Sequence, residues 1–129
     1  MKNKSFLLII FTSSLSVCAV NFTFFAPAKA SVVCESNTIS TYANGSLSTC
    51  ILGQNTTVQV SSSGSGTSIF YCQEQKYISF DEKGQFHSCQ LSQEIEIRQN
   101  NSIKICPVGH KVYVDISENG IQSINCRDY

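Results

Sequence analysis

The chain has 129 residues with nine basic and nine acidic side chains, a length that suits one small domain. It contains no basic run of the kind that binds nucleic acid or anionic lipid, so both classes of partner are disfavoured. Beyond residue 30, Ile and Val number 18 together against three Leu, a composition that favours β-strands over helices.

The first thirty residues have the features of an export signal. Lys2 and Lys4 precede a long apolar stretch, and "APAKA" ends the segment in the A-x-A form that signal peptidase cuts. We expect cleavage after Ala30, which leaves residues 31–129 with six basic and nine acidic side chains in a secreted, periplasmic or cell-envelope location. An uncleaved membrane anchor is the alternative, and Cys18 is expected to leave with the signal without being lipidated. No later stretch has the length and apolarity of a membrane span.

The six cysteines after residue 30 predict a disulfide framework, because their number is even and the chain is expected to be exported. No two of them lie closer than sixteen positions, a spacing unlike a C-x-x-C redox motif or the close cysteine pairs of structural zinc sites. We therefore expect no metal and no cofactor. The six are Cys34, Cys50, Cys72, Cys89, Cys106 and Cys126.

Short alternating strands are visible along the chain, and no stretch shows a helical period. "EIEIR" places Ile95 and Ile97 on one face of a strand, with charged side chains on the other. "SIKIC" alternates in the same way with Ile103 and Ile105, and "KVYVDIS" continues the pattern. The sequence therefore predicts an antiparallel, all-β fold.

Glycine-containing turn signals separate these strands. Asn44-Gly45 and Asn119-Gly120 predict two-residue type I′ turns, in which both residues have positive φ. Lys83-Gly84 is either a turn of the same kind or the end of a type I turn over "DEKG". "QNNS" at 99–102 predicts another reversal, and "SSSGSGTS" at 61–68 an elongated hairpin loop or a short linker.

The cysteines and turn glycines recur with a period of 34 to 39 residues. A cysteine, a strand, a turn, a second strand and a cysteine occur at about 34–50, 72–89 and 106–126. Residues 31–129 are accordingly interpreted as one domain of three consecutive disulfide-clamped hairpin repeats. Counting outward from two-residue turns places each closing cysteine opposite an apolar residue. The predicted pairs are Cys50 with Ile39, Cys89 with Ile78 and Cys126 with Tyr113.

Each unit is expected to join its own two cysteines, as Cys34–Cys50, Cys72–Cys89 and Cys106–Cys126. In a flat three-stranded meander the outer strands lie too far apart for a disulfide, so the opening segment of each unit has to bend back. The alternative joins neighbouring units through Cys50–Cys72 and Cys89–Cys106. Side-chain parity along the strands does not decide between the two patterns.

The stretches "YISFDEKGQFHS" and "VYVDISENGIQS" resemble the hairpin repeats of MORN-type proteins, particularly the bacterial antitoxin-like variety. The shared pattern is an aromatic residue, a short strand, a glycine turn and a second strand, although this chain has no Trp and adds paired cysteines. The resemblance implies a repetitive β-hairpin scaffold that serves binding or surface structure, and it implies no active site. The ending "APAKAS" is similar to the signal ends of cyanobacterial exported proteins.

No combination of side chains in the sequence predicts catalysis. His87 has Asp81 and Glu82 as its nearest acidic neighbours, but these fit the cap of a turn, and His110 has no obvious partner. The aromatic residues are interpreted as core, with a row on one sheet face that binds sugar or peptide as the alternative.

The expected function is that of a non-catalytic, exported, structural or binding protein with an unidentified protein or glycan partner. A secreted hydrolase inhibitor is the second hypothesis, because disulfide-braced loops such as "SSSGSGTS" or "CPVGHK" could occupy the active site of an enzyme.

Overall fold

The computed structural model describes residues 32–128, and the export signal expected over residues 1–30 lies outside that range. Within the described range no residue is helical and every strand pairing is antiparallel, which confirms the all-β fold class. Residues 32–128 accordingly contain no helix able to cross a membrane. The strands are β1 (Ser40–Thr41), β2 (Leu47–Ile51), β3 (Thr56–Ser62), β4 (Gly66–Cys72), β5 (Tyr77–Phe80), β6 (Phe86–Gln90), β7 (Ile95–Gln99), β8 (Ser102–Cys106), β9 (Lys111–Ile116) and β10 (Gln122–Arg127).

Six of the strands form one sheet in the order β1-β2-β5-β6-β9-β10, and β3-β4 and β7-β8 form two separate hairpins. Both hairpins supply side chains to a single core with the sheet. Phe70 of β4 stacks on Phe86 of β6 with ring centroids 5.3 Å apart, and Ile97 of β7 joins the same cluster as Val112 and Val114 of β9. The hairpins therefore cover one face of the sheet, and the other face is left open to solvent.

The three disulfides join Cys34 to Cys50, Cys72 to Cys89 and Cys106 to Cys126, which confirms the pairing within each unit. The required bend occurs three residues after each opening cysteine, where Asn37, Gln75 and Gly109 have φ values of 65°, 61° and 84°. This left-handed backbone conformation turns the chain back, so that the two cysteines of a unit approach to Cα–Cα distances of 5.6 to 5.8 Å. The division into three repeats stays an interpretation of the sequence.

The glycine turns are three-residue loops, so the prediction of two-residue type I′ turns at Asn44-Gly45 and Asn119-Gly120 is wrong. Gly45, Gly84 and Gly120 have φ between 75° and 85°, whereas neither asparagine has positive φ. In each loop the glycine N–H donates to the carbonyl three residues earlier, as in a type I turn closed by a left-handed residue. The type I turn over "DEKG", predicted as the alternative for Lys83-Gly84, is therefore the geometry of all three loops. Asn100 and Asn101 of "QNNS" instead form the two-residue turn, with φ of 48° and 64°.

This turn geometry also determines the register of the hairpins. A strand irregularity compensates for the extra loop residue in the β5–β6 hairpin, so Cys89 lies opposite Ile78 as predicted. The β9–β10 pairing is regular, and Cys126 lies opposite Val112 and not Tyr113. The prediction for Cys126 was one residue out because it assumed a two-residue loop.

The hairpin β7–β8 places its apolar residues on both of its faces. Ile97 is buried as the alternation predicts, but Ile103 and Ile105 are 61% and 54% exposed. Cys106 has to point inwards to reach its disulfide partner, and side chains alternate along a strand, so Ile105 and Ile103 point outwards.

"SSSGSGTS" is a hairpin loop and not a linker, because β3 and β4 stay paired up to Ser62 and Gly66.

We expect Gly84→Ala to lower the free energy of unfolding by about 1–2 kcal/mol, because an L-residue is strained at its φ of 79°. A Cβ at Gly84 would meet nothing within 4 Å, so the loss measures backbone strain alone. Gly84→Asn should lose less, since Asn tolerates this conformation. Urea denaturation checks the order, with Gly53→Ala as the control that has ordinary φ and ordinary contacts. A Gly84→Ala variant as stable as the control would contradict the assignment.

Candidate functional site

The open face of the six-stranded sheet carries a row of polar side chains that crosses all six strands. Residues directly opposite each other in neighbouring strands point to the same face, so the strand register defines the row. Each of its members is paired with the next across the sheet. In order they are Ser40, Thr49, Ser79, Ser88, Tyr113 and Asn125.

The first four members form the hydroxyl row, defined as Ser40, Thr49, Ser79 and Ser88. Ser79 and Ser88 are hydrogen-bonded to each other through their side-chain oxygens at 2.6 Å. Ser88 is only 3% exposed because its neighbours surround it, while Ser40 is exposed and Thr49 and Ser79 are half-buried. Each hydroxyl both donates and accepts hydrogen bonds, and adjacent strands lie about 4.8 Å apart. Ser40, Thr49 and Ser79 therefore offer hydroxyl groups at a regular spacing, whereas Ser88 is too buried to reach a ligand.

A charged aromatic cluster continues the row towards β10. We define the Tyr113 cluster as Tyr113, Lys111, Arg127, His87 and Asp115. Lys111 Nζ lies 5.1 Å from the Tyr113 ring centroid and Arg127 Cζ 5.0 Å, within the range of cation–π contacts. The two cations are paired across β9 and β10, so both lie on the same side of the ring.

His87 and Asp115 border the other side of the Tyr113 ring. The His87 ring meets Tyr113 edge-on with centroids 5.9 Å apart, and its Nδ1 lies 3.6 Å from Asp115 Oδ1 and 3.3 Å from the Val114 carbonyl oxygen. Asp115 is thus the acidic partner of His87, and not its sequence neighbours Asp81 and Glu82. Asp81 instead caps its turn, accepting hydrogen bonds from the backbone N–H groups of Lys83 and Gln85, as predicted for this residue.

The aromatic residues are divided between the core and the open face. Phe70 and Phe86 are buried in the core, and Phe80 packs against Phe86 with ring centroids 6.3 Å apart. Tyr113 is half-buried on the open face, and Tyr77, which shares this face, is 57% exposed. Phe70, Phe80 and Phe86 therefore pack in the core as predicted, while binding of sugar or peptide by the rings on the open face stays a prediction.

The structure supplies His110 with neighbours that the sequence did not reveal. His110 Nδ1 lies 3.8 Å from Cys126 Sγ, and its Nε2 lies 3.5 Å from Asp128 Oδ1. Because Cys126 is bonded to Cys106, its sulfur carries no thiol here. No group of three or more His, Cys, Asp or Glu side chains within residues 32–128 is arranged to hold a metal ion.

The cationic pair was missed by the sequence analysis because it depends on the register. The alternation in "KVYVDIS" puts Lys111, Tyr113 and Asp115 on one strand face, a signal that was available in the sequence. The position of Arg127 depends on the pairing of β9 with β10, and the predicted two-residue turn gave a register that differs by one residue from the observed pairing of Arg127 with Lys111.

Comparison with known proteins identifies no relative: no protein-family model, no curated protein and no solved structure matches the chain. The resemblance to MORN-type repeats therefore stays a prediction. The open face and its charged aromatic cluster are the features on which a function can be argued.

Proposed function

We propose that this chain is a non-catalytic, exported binding protein that uses the open face of its six-stranded sheet to hold a ligand outside the cytoplasm. Three disulfides support the location, because such bonds form and persist in oxidising compartments. They also support the binding role, because they stabilise a small domain that covers only one face of its sheet and leaves the other face for a ligand.

The observation that carries this proposal is the polar row ending in the Tyr113 cluster. A sheet face that only met solvent would need no particular order of side chains. Here hydroxyl groups, a half-buried ring and two cations lie side by side across the strands, and a second ring is exposed at Tyr77. Aromatic rings beside convergent polar groups are the usual composition of a binding surface.

The hydrolase-inhibitor hypothesis receives less support from the loops it invoked. In "SSSGSGTS", the Gly64 N–H donates to the Gly120 carbonyl oxygen, and Ser65 Oγ accepts from the Gln122 N–H. In "CPVGHK", the Gly109 N–H donates to the Leu91 carbonyl oxygen. Such bracing is compatible with an inhibitory loop but does not by itself indicate one, so the inhibitor hypothesis stays the second candidate.

Removing both rings from the open face tests the proposal. We expect Tyr77→Ser with Tyr113→Ser to reduce retention of the purified protein on washed envelope and extracellular material of its source cells by about thirtyfold. Two aromatic contacts are lost, and each anchor of this kind is worth at least about 1 kcal/mol at an interface. Co-sedimentation at increasing protein concentration measures the change.

The matched control removes two exposed apolar side chains away from the open face, as Ile69→Ser with Ile105→Ser. It should bind like the unmodified protein, and equal melting temperatures show that both variants are folded. Equal retention of the two double variants would contradict a role for the open face.

A further inference from the structure

We infer that the ligand of the open face is an acidic polysaccharide, with its carboxylates on Lys111 and Arg127, a sugar ring on the exposed Tyr77 and further sugar hydroxyls along the hydroxyl row. The inference rests on the proposed function and names the class of ligand. Its three parts follow from the charge, the aromatic surface and the hydrogen-bonding groups of the face.

The charge of the site favours an anion. Residues 31–129 carry six basic and nine acidic side chains, yet two of the six basic ones, Lys111 and Arg127, are direct cross-strand neighbours on this face. Arg127 is exposed and Lys111 is half-buried. Asp115, with His87 at 3.6 Å, lies on the far side of the Tyr113 ring. A carboxylate thus meets two cations at one end of the cluster, where their geometry allows charge-assisted hydrogen bonds.

The aromatic surface favours a sugar chain. Tyr77 is the accessible ring, because Lys111 and Arg127 lie over one side of the Tyr113 ring and His87 meets that ring edge-on. A tyrosine ring presents apolar surface with a polar end, which suits the C–H and hydroxyl groups of a sugar. Tyr77 and Lys111 lie two strands apart, about 10 Å from the usual strand spacing, so a polymer can contact the ring and the cations at once, while a single sugar contacts only one of them.

The hydrogen-bonding groups favour a polyhydroxylated ligand. The accessible hydroxyls of the row, on Ser79, Thr49 and Ser40, lie on successive strands towards the β1 edge of the sheet. Gln90, in the same row as Lys111, adds an amide, although its Nε2 already donates to the Gly109 carbonyl oxygen at 2.9 Å. A protein partner would be expected to meet a more apolar centre, and the hydroxyl row offers none.

The test compares polygalacturonate with the same polymer after reduction of its carboxyl groups to neutral alcohols. We expect the full-length purified protein to bind polygalacturonate in biolayer interferometry, and the neutral polymer at least tenfold more weakly. Raising the salt concentration from about 50 mM to 500 mM should weaken the first interaction and leave the second unchanged, because salt screens exposed charges.

Two charge-matched double variants locate the binding site. Lys111→Ala with Arg127→Ala should weaken polygalacturonate binding about tenfold, while Arg98→Ala with Lys104→Ala, which removes two exposed cations from the β7–β8 hairpin, should stay within twofold of the unmodified protein. Arg127→Ala alone, at an exposed position, gives an intermediate loss and protects the test against misfolding of the double variant. Equal losses in the two double variants would overturn the inference.

The outcomes separate this inference from the proposed function. Retention on envelope material that depends on Tyr77 and Tyr113, together with no preference for polygalacturonate over the neutral polymer, overturns the acidic ligand and leaves the open face as a binding surface. If the variants of the open face lose neither retention on envelope material nor binding to polygalacturonate, this contradicts both the inference and the proposed function.

Discussion

Replacing Cys72 and Cys89 together by alanine is expected to lower the free energy of unfolding by about 3–5 kcal/mol. The bond closes a loop of 17 residues, for which the chain-entropy model gives about 3 kcal/mol. Both cysteines are buried, at 0% and 1% exposure, so their removal also disturbs the packing between the end of β4 and the middle of the sheet. A small domain has about 5–15 kcal/mol in total, and the loss would therefore be a large part of it. Guanidinium denaturation under non-reducing conditions measures it.

The matched control is Cys34→Ala with Cys50→Ala. Its loop of 16 residues has nearly the same closure entropy, but Cys34 is half-buried and the bond lies towards the β1 edge of the sheet. We therefore expect a loss close to the entropic value of about 3 kcal/mol. A larger loss in the control than in the central pair would show that burial does not set the ranking.

The disulfide pattern could be predicted from sequence because it depends on a repeated spacing. Three intervals between opening and closing cysteines were similar, and a bridge within each unit was the simplest pattern that used them all. The bend that makes such bridges possible was less visible, because Asn37 and Gln75 are not glycines and adopt positive φ only in this tertiary context. Gly109 is the only glycine among the three bend residues, and it alone indicated the bend in the sequence.

The turn type and the register could not be predicted because they depend on each other. An Asn-Gly pair suits a type I′ turn, but at Asn44 the side chain has other roles: its Nδ2 donates to the Glu82 carbonyl oxygen and its Oδ1 accepts from the Ser46 N–H. These bonds tie one turn to the next and favour the three-residue loop. At the β9–β10 turn the same three-residue loop is followed by a regular ladder, and this places Cys126 opposite Val112 and not Tyr113.

The sequence allowed the prediction that aromatic residues lie on one sheet face, but not the prediction of which residues these are. An aromatic row on a sheet face was foreseen as an alternative to core packing, yet which rings would be exposed depended on where the hairpins β3–β4 and β7–β8 lie. They cover the face that carries Ile78 and Phe86, and they leave Tyr77 and Tyr113 on the other. The alternation in β9 separates an apolar face from the face with Lys111 and Tyr113, but the four residues of β5, "YISF", place one aromatic ring on each face and do not distinguish the two.

The one-sided cover explains why the open face can serve binding without loss of stability. Antiparallel sheets can keep one face on the core and the other in water. Here the buried residues and the disulfides hold the covered face, while the hydroxyl row and the Tyr113 cluster contribute little to the core. Substitutions at the exposed positions of the open face, such as Tyr77 and Arg127, should therefore change affinity and leave the melting temperature almost unchanged.

Phe70→Ala is expected to have the opposite effect, a loss of about 3–5 kcal/mol in the free energy of unfolding with little direct effect on the ligand surface. Phe70 is buried, stacks on Phe86 and is the largest fully buried side chain of the hairpin β3–β4. Its removal leaves a cavity between the hairpin and the sheet, and the disulfide from Cys72 limits how far the hairpin can shift to close it. Thermal and urea denaturation under non-reducing conditions measure the loss.

Two further variants separate this cavity from other causes. Phe70→Leu keeps most of the apolar volume and should lose less than half as much as Phe70→Ala, since the loss grows with the cavity that remains. Tyr71→Ala, at the next position, changes a half-buried ring on the other side of the strand and should cost less than Phe70→Ala. If Tyr71→Ala destabilised the domain as much as Phe70→Ala, the hairpin would be held as much by its outer surface as by the Phe70 contact, and the central role of Phe70 in the core would be wrong.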